Sequence, residues 1–114
     1  MIEGLWTVSF QGTQAVGNGV MIFETERSFG GDSDFYYLGT YGIDRNRINA
    51  VVTVTQYGLK NFSVFGEVPL GGSFHLVIDG EIKDQKTIHA RGHRRDNPKV
   101  SIHFLLVKRA DLPG

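Results

Sequence analysis

The chain opens with a segment in which apolar and polar residues alternate, GLWTVSFQ at residues 4–11. Trp6, Val8 and Phe10 occupy every second position, with threonine and serine between them. A period of two is typical of a strand with one face in a core and the other in water. The segment begins with a Gly-x-Trp pattern, and seven further β-like runs follow it at short intervals.

These further runs are short, rich in β-branched and aromatic residues, and separated by turn signals. They are predicted at residues 20–23, 35–41, 48–56, 62–66, 74–79, 87–93 and 100–108. Turns are predicted at residues 12–14, 17–19, 29–32, 69–72, 79–80 and 96–98. Because no helical crossover separates the runs, we predict one all-β domain over residues 1–114, an eight-stranded antiparallel up-and-down, lipocalin-like β-barrel. An open sandwich is the alternative.

The composition excludes several classes of protein. The 114 residues include no cysteine, which excludes disulfides and thiolate metal sites and fits a reducing, cytoplasmic compartment. The start of the chain has neither a basic nor an apolar signal region, so no secretory signal is expected. No apolar stretch approaches the ~20 residues of a membrane helix, so no membrane association is expected.

The net charge is zero but unevenly distributed. Residues 1–80 contain four basic and eight acidic side chains, a balance of −4, and residues 81–114 contain eight and four, a balance of +4. The basic excess centres on Arg91, Arg94, Arg95 and Lys99. This segment is either a solvated hairpin tip or a docking surface for an acidic partner. Direct binding to nucleic acid is not favoured, because the chain as a whole is neutral.

The sequence offers no catalytic or metal-binding pattern. His89 and His93 stand on a predicted strand, where their Cα atoms lie about 13 Å apart, too far for one zinc ion. No serine occupies a Gly-x-Ser-x-Gly elbow, and no glycine-rich segment precedes a helix. We therefore expect no metal, no cofactor and no enzymatic activity.

The barrel interior is the candidate ligand site. Eight strands enclose an interior that is filled by side chains or just holds one small ligand. With 13 aromatic residues in the chain, we favour a filled interior over a large void. If a cavity exists, the predicted lining consists of Trp6, Phe10, Phe35, Tyr37 and Tyr41.

Some strands are apolar on both faces, as at residues 20–23 and 104–107. One face can point into the barrel, and the other then needs a cover. A homodimer that packs through outer barrel faces is the predicted answer.

Three segments carry a resemblance to a known family: residues 3–10, Gly30-Gly31-Asp32 with Tyr37, Gly39 and Tyr41, and the last strand running into Arg109-Ala110-Asp111-Leu112-Pro113. In these segments the chain resembles the GrlR-like negative regulators associated with type III secretion. The resemblance implies a lipocalin-like barrel that forms homodimers and acts by binding a transcriptional activator. It also implies an acidic loop that contacts the activator. The corresponding hairpin here carries one acid and two bases.

The leading functional hypothesis is therefore a non-enzymatic, cytoplasmic regulator that acts by protein binding, with a transcriptional activator as the partner that the resemblance implies. Its predicted contact residues are Asp44, Arg45, Asn46, Arg47, Arg91, Arg94 and Arg95. The alternative is a lipocalin-like carrier of a small apolar ligand in the barrel interior.

Overall fold

The computed structural model describes residues 2–11 and 16–114, without the side chain of Val16. Within these residues the structure contains ten strands and no helix. They are β1 (Gly4–Gln11), β2 (Val16–Glu24), β3 (Arg27–Gly31), β4 (Phe35–Asp44), β5 (Arg47–Gln56), β6 (Phe62–Ser63), β7 (Gly66–Glu67), β8 (Ser73–Asp84), β9 (Thr87–Arg94) and β10 (Asn97–Ala110).

Eight of these strands form a closed antiparallel barrel, which confirms the predicted fold class. Around the barrel the order is β1-β2-β3-β4-β5-β8-β9-β10, and β10 returns to pair with β1. Each strand pairs with its neighbour in the chain, as in an up-and-down barrel. The remaining strands, β6 and β7, form a separate two-stranded hairpin between β5 and β8.

The alternation seen in the sequence decides which side chains point inward. On β5 the apolar residues at every second position are buried, and they are Ile48, Ala50, Val52 and Val54. On β4 the same holds for Phe35, Tyr37 and Tyr41, whereas Tyr36 and Leu38 face outward. The inward faces of the barrel strands other than β3 thus contribute to one hydrophobic core.

One barrel strand was assigned to the wrong segment. The predicted turn at residues 29–32 is largely β3, and the predicted barrel strand at 62–66 belongs to the small hairpin. Gly30 and Gly31 do not adopt positive φ. A Cβ on Gly30 would lie 2.0 Å from the carbonyl oxygen of Val20 on β2, so glycine here permits a close approach of two strands.

Other turns also lie at positions different from those predicted. The turn expected at residues 79–80 lies inside β8, and the chain reverses at Gln85 and Lys86 instead. Residues 17–19 belong to β2, and the turn predicted at 12–14 lies outside the described residues. The turn at residues 69–72 is confirmed by a hydrogen bond in which the Gly72 amide donates to the Pro69 carbonyl over 2.8 Å.

One end of the barrel, the closed end, is filled by aromatic packing. Trp6 is fully buried, and its indole Nε1 donates a 2.7 Å hydrogen bond to the Ile2 carbonyl. Phe23 lies edge-on to Trp6 and to Tyr41, with ring centroids 5.8 and 5.1 Å apart. These four residues, Ile2, Trp6, Phe23 and Tyr41, are all buried and form the core of this end.

In the described part of the chain, no helix has the length and apolar character needed to cross a membrane.

Candidate functional site

A cavity occupies the barrel between the closed end and the opposite, open end. Its volume is about 310 Å³. The inward faces of most barrel strands contribute apolar side chains to its wall, including Val8, Met21, Ile48, Val52, Val54, Leu76, Ile88 and Leu106. A largely apolar cavity of this size with a few polar groups is typical of a small-molecule site.

The structure corrects the prediction of a filled interior. Phe10, Phe35 and Tyr37 line the cavity as predicted, but Trp6 and Tyr41 pack at the closed end and do not. Other aromatic residues point outward and fill nothing; they include Tyr36 and Tyr57. Small inward residues, Ala50 and Ala90, leave the middle of the barrel open.

The β6–β7 hairpin partly covers the open end. Its turn residue Phe65 packs against Phe74 of β8 and Phe104 of β10, with ring centroids 5.7 and 6.2 Å away. Within the hairpin, Ser63 Oγ donates to the Gly66 carbonyl over 2.9 Å and accepts the Phe65 amide over 3.0 Å. Residues 62–65 therefore form part of the cavity wall.

A buried glutamine fixes the segment that carries this hairpin. Gln56 is only 4% exposed although it stands at the end of β5. Its Nε2 donates to the carbonyls of Gly58 and Lys60 over 2.6 and 3.1 Å, and its Oε1 accepts the Gly71 amide over 2.7 Å. The Gln56 side chain thus joins the two ends of the segment between β5 and β8, residues 57–72.

A carboxylate organises the neighbouring turn between β3 and β4. Asp32 Oδ1 accepts the amides of Asp34 and Phe35, each over 2.9 Å, and Oδ2 accepts the hydroxyl of Tyr37. Burial of the Tyr37 phenol, reinforced by its hydrogen bond to Asp32, raises the pKa of Tyr37 above its usual range. Tyr37 therefore remains a neutral hydrogen-bond donor in the cavity wall.

Asp34 joins this turn to the hairpin-bearing segment. Its carbonyl accepts the amides of Tyr57 and Gly58, and its Oδ1 accepts the Lys60 amide over 3.1 Å. The hydrogen bond from the Lys60 amide lowers the pKa of the Asp34 carboxyl below its ordinary value. The carboxylate is therefore ionised at neutral pH, at the rim of the cavity.

One polar group inside the cavity is left without a partner. Ser28 on β3 is 2% exposed and lines the cavity. Its Oγ has no hydrogen-bond partner among the residues that the structure describes. A buried hydroxyl in this state is uncommon and calls for an explanation.

The residues predicted to contact a partner do not form one surface. Asp44, Arg45, Asn46 and Arg47 lie at the β4–β5 turn of the closed end, whereas Arg94 and Arg95 lie at the β9–β10 turn of the open end. Arg91 is exposed on β9 between them.

Two of these arginines already have partners within the chain. Arg47 forms a 2.7 Å ion pair with Asp79. Arg94 donates Nε and Nη2 to the two carboxylate oxygens of Asp96 and lies 4.6 Å above the Phe74 ring. A guanidinium held in this way is less available to a partner than one in water.

The outside of the barrel carries a row of apolar side chains. In the strand register Leu5 lies beside Ile22, Ile22 beside Phe29, and Phe29 beside Leu38. Leu38 is 55% exposed, and Leu5 is 36% exposed. This set, the outer apolar row, crosses β1 to β4 and is the part of the exterior best suited to another apolar surface.

Sequence reasoning missed Ser28, Gln56 and the hairpin residues as parts of the site. Ser28 would have been placed inward if residues 27–31 had been recognised as a strand, because alternation puts it on the buried face. The role of Gln56 depends on hydrogen bonds to a loop, which no local pattern reveals.

Within residues 2–11 and 16–114, no three His, Asp or Glu side chains lie close enough together to hold a metal ion. Neither protein-family models nor curated protein sequences match the chain.

Proposed function

We propose that this barrel binds a small, mainly apolar molecule in its interior. The observation that carries the proposal is the 310 Å³ cavity, lined by apolar side chains and partly covered by the β6–β7 hairpin. A benzene-sized molecule fills a cavity of about 150 Å³, so this one suits a ligand of about a dozen non-hydrogen atoms. A cytoplasmic setting is part of the proposal and fits a chain without cysteine.

The test uses a substitution that fills the cavity and leaves the outer surface of the barrel unchanged. Ala50 lines the cavity, and its neighbour Val51 faces outward on the same strand. In Ala50→Phe, the neutral fluorescent probe aminoanthracene should bind at least about tenfold more weakly, because the new ring occupies its space. In the matched control, Val51→Phe, binding should not change. Equal binding to both variants and to the unaltered protein would contradict the proposal.

A search for a natural ligand complements this test. Native mass spectrometry of the unaltered protein and of Ala50→Phe should show an additional mass in the first only. An additional mass of equal abundance in both would place the bound molecule outside the cavity.

The second candidate function is regulation by protein contact, which the resemblance to GrlR-like regulators implies. The outer apolar row favours it, since an exposed apolar surface of this kind suits a protein interface. In this proposal the row joins two copies of the chain, and the Asp44–Arg47 turn remains free to contact a transcriptional activator. No catalytic step is involved in either candidate.

Light scattering tests the dimer part of this candidate. The unaltered protein should have the mass of two chains, and Leu38→Glu should have the mass of one, because a charge on the row opposes burial. The control is Asn49→Glu, an exposed site on β5 away from the row. A single-chain mass for the unaltered protein would exclude the dimer.

The contact with an activator needs a separate test. Arg45→Glu should change the association rate with a captured activator and leave the mass in solution unchanged. The reason is that an exposed charge at the edge of an interface mainly affects the rate at which two proteins associate. An unchanged rate would remove the Asp44–Arg47 turn from the contact surface.

A further inference from the structure

We propose that the cavity selects neutral molecules that carry a hydroxyl group, and that Ser28 Oγ receives this hydroxyl. The inference rests on the proposed binding function and adds the chemical class of the ligand. It excludes molecules with a carboxylate head group, such as fatty acids.

The first argument is the unpartnered hydroxyl of Ser28. Across the sheet Ser28 lies beside Phe23 on β2 and Gly39 on β4, and neither of these residues offers a side-chain polar atom. A buried hydroxyl without a hydrogen bond costs free energy. A ligand hydroxyl both donates and accepts, so it can satisfy Ser28 and itself at once.

The second argument is the charge of the cavity wall. The charged side chains that line it are Asp32 and Asp34, and no Lys, Arg or His of residues 2–11 and 16–114 lies in the wall. In the sequence, Met1 and residues 12–15 also carry no charged side chain. A ligand carboxylate would lose its water without meeting a cation and would pass two negative groups at the rim.

The third argument separates neutral ligands from amines. The oxygens of both carboxylates are already engaged by the protein. Asp32 accepts two amides and the Tyr37 hydroxyl, and Asp34 accepts the Lys60 amide and the Ser33 hydroxyl. A ligand ammonium would have to compete with these donors, whereas Ser28 has no competing partner in the described chain. The observations therefore favour a neutral hydroxyl.

The test compares three ligands of equal chain length: decanol, decane and decanoate. Each is titrated at neutral pH against the protein loaded with aminoanthracene, and displacement of the probe is measured. Decanol should displace the probe best. The affinity for decanoate should be lower than that for decanol by about tenfold or more, because the carboxylate has no cationic partner in the cavity.

Variants assign the preference to particular groups. Ser28→Ala should lower the affinity for decanol by about tenfold, because the ligand hydroxyl is then buried without a partner. The same variant should leave decane unchanged. The control is Ser9→Ala, which removes an exposed hydroxyl from the outer face of β1. Ser33→Lys, at the rim, should increase the affinity for decanoate relative to the affinity for decanol.

Two results would overturn the inference while the proposed binding function stands: decanoate binding as tightly as decanol, or decanol binding unchanged in Ser28→Ala. If aminoanthracene and all three ligands fail to bind the unaltered protein, the proposed binding function fails as well.

Discussion

The two ends of the barrel are built by different means. At the closed end, Trp6, Phe23 and Tyr41 pack ring against ring in residues that belong to regular strands. At the open end, the cover is a short hairpin held by Phe65 and by the hydrogen bonds of Gln56 and Asp34. From this comparison we expect the closed end to contribute more to stability, and the open end to be the part that separates locally, where the proposed ligand would enter.

The largest expected effect is at the closed end. Trp6→Ala should lower the free energy of unfolding by about 3–5 kcal/mol, because it removes a fully buried ring and leaves a cavity. Phe10→Ala is the matched control, since Phe10 is half-buried at the open end and should cost about 1–2 kcal/mol. Urea denaturation measures both. Equal losses would show that the two ends contribute alike.

The second effect concerns the polar anchor of the open end. Gln56→Ala should cost about 2 kcal/mol, because it removes three hydrogen bonds formed by a buried side chain. Amide hydrogen exchange should accelerate over residues 57–72 and stay unchanged in β1. The neighbouring change Thr55→Ala is the control. Uniform acceleration through the whole chain would mean that the hairpin does not open independently.

The third effect should appear in binding kinetics more than in stability. Phe65→Ala should lower the free energy of unfolding by only about 1–2 kcal/mol, because the ring is partly exposed. It should increase the dissociation rate of aminoanthracene, measured by stopped flow, since the cover loses its contacts with Phe74 and Phe104. Leu70→Ala, at an exposed site of the same segment, should leave the rate unchanged. If both variants release the probe at the original rate, the hairpin is not the cover.

The smallest effect is a dependence on pH. Asp34 has a folded pKa below its ordinary value of 3.8, so its stabilising contribution is present above that value and is lost as the pH falls through the folded pKa. Relative to the intrinsic rate at each pH, amide exchange of residues 57–60 should therefore accelerate below pH 3.8, while Trp6 fluorescence stays constant. In Asp34→Asn this acceleration should disappear. A simultaneous change of both signals would indicate global unfolding instead.

The sequence predicted the architecture because alternation is a local property. The segments around Trp6 and Val52 each show which face is buried without reference to the rest of the chain. The predicted number of barrel strands, eight, is correct, but one of the predicted strands is the wrong segment. Residues 27–31 contain two adjacent glycines, which resemble a turn unless the crowding of Gly30 against Val20 is known.

The cavity could be predicted only in part. Phe10, Phe35 and Tyr37 were placed correctly because they follow the alternation. Whether an interior is filled depends on how the sizes of inward residues add up across strands, and on where each ring lies along the barrel axis. Trp6 and Phe23 therefore pack edge-on at one end while Ala50 and Ala90 leave room in the middle, a distribution that no single strand reveals.

The pairing of β1 with β10 has a consequence for how the chain folds. A hydrogen bond in this pair, from Thr7 Oγ1 to the Val107 carbonyl, joins residues 100 positions apart. Every other pairing in the barrel links consecutive barrel strands. The β1–β10 pairing, called the seam below, therefore has the largest loop-closure entropy to overcome. We expect the seam to form late, and until it does the unpaired edges of β1 and β10 are the places where two nascent chains can join and aggregate.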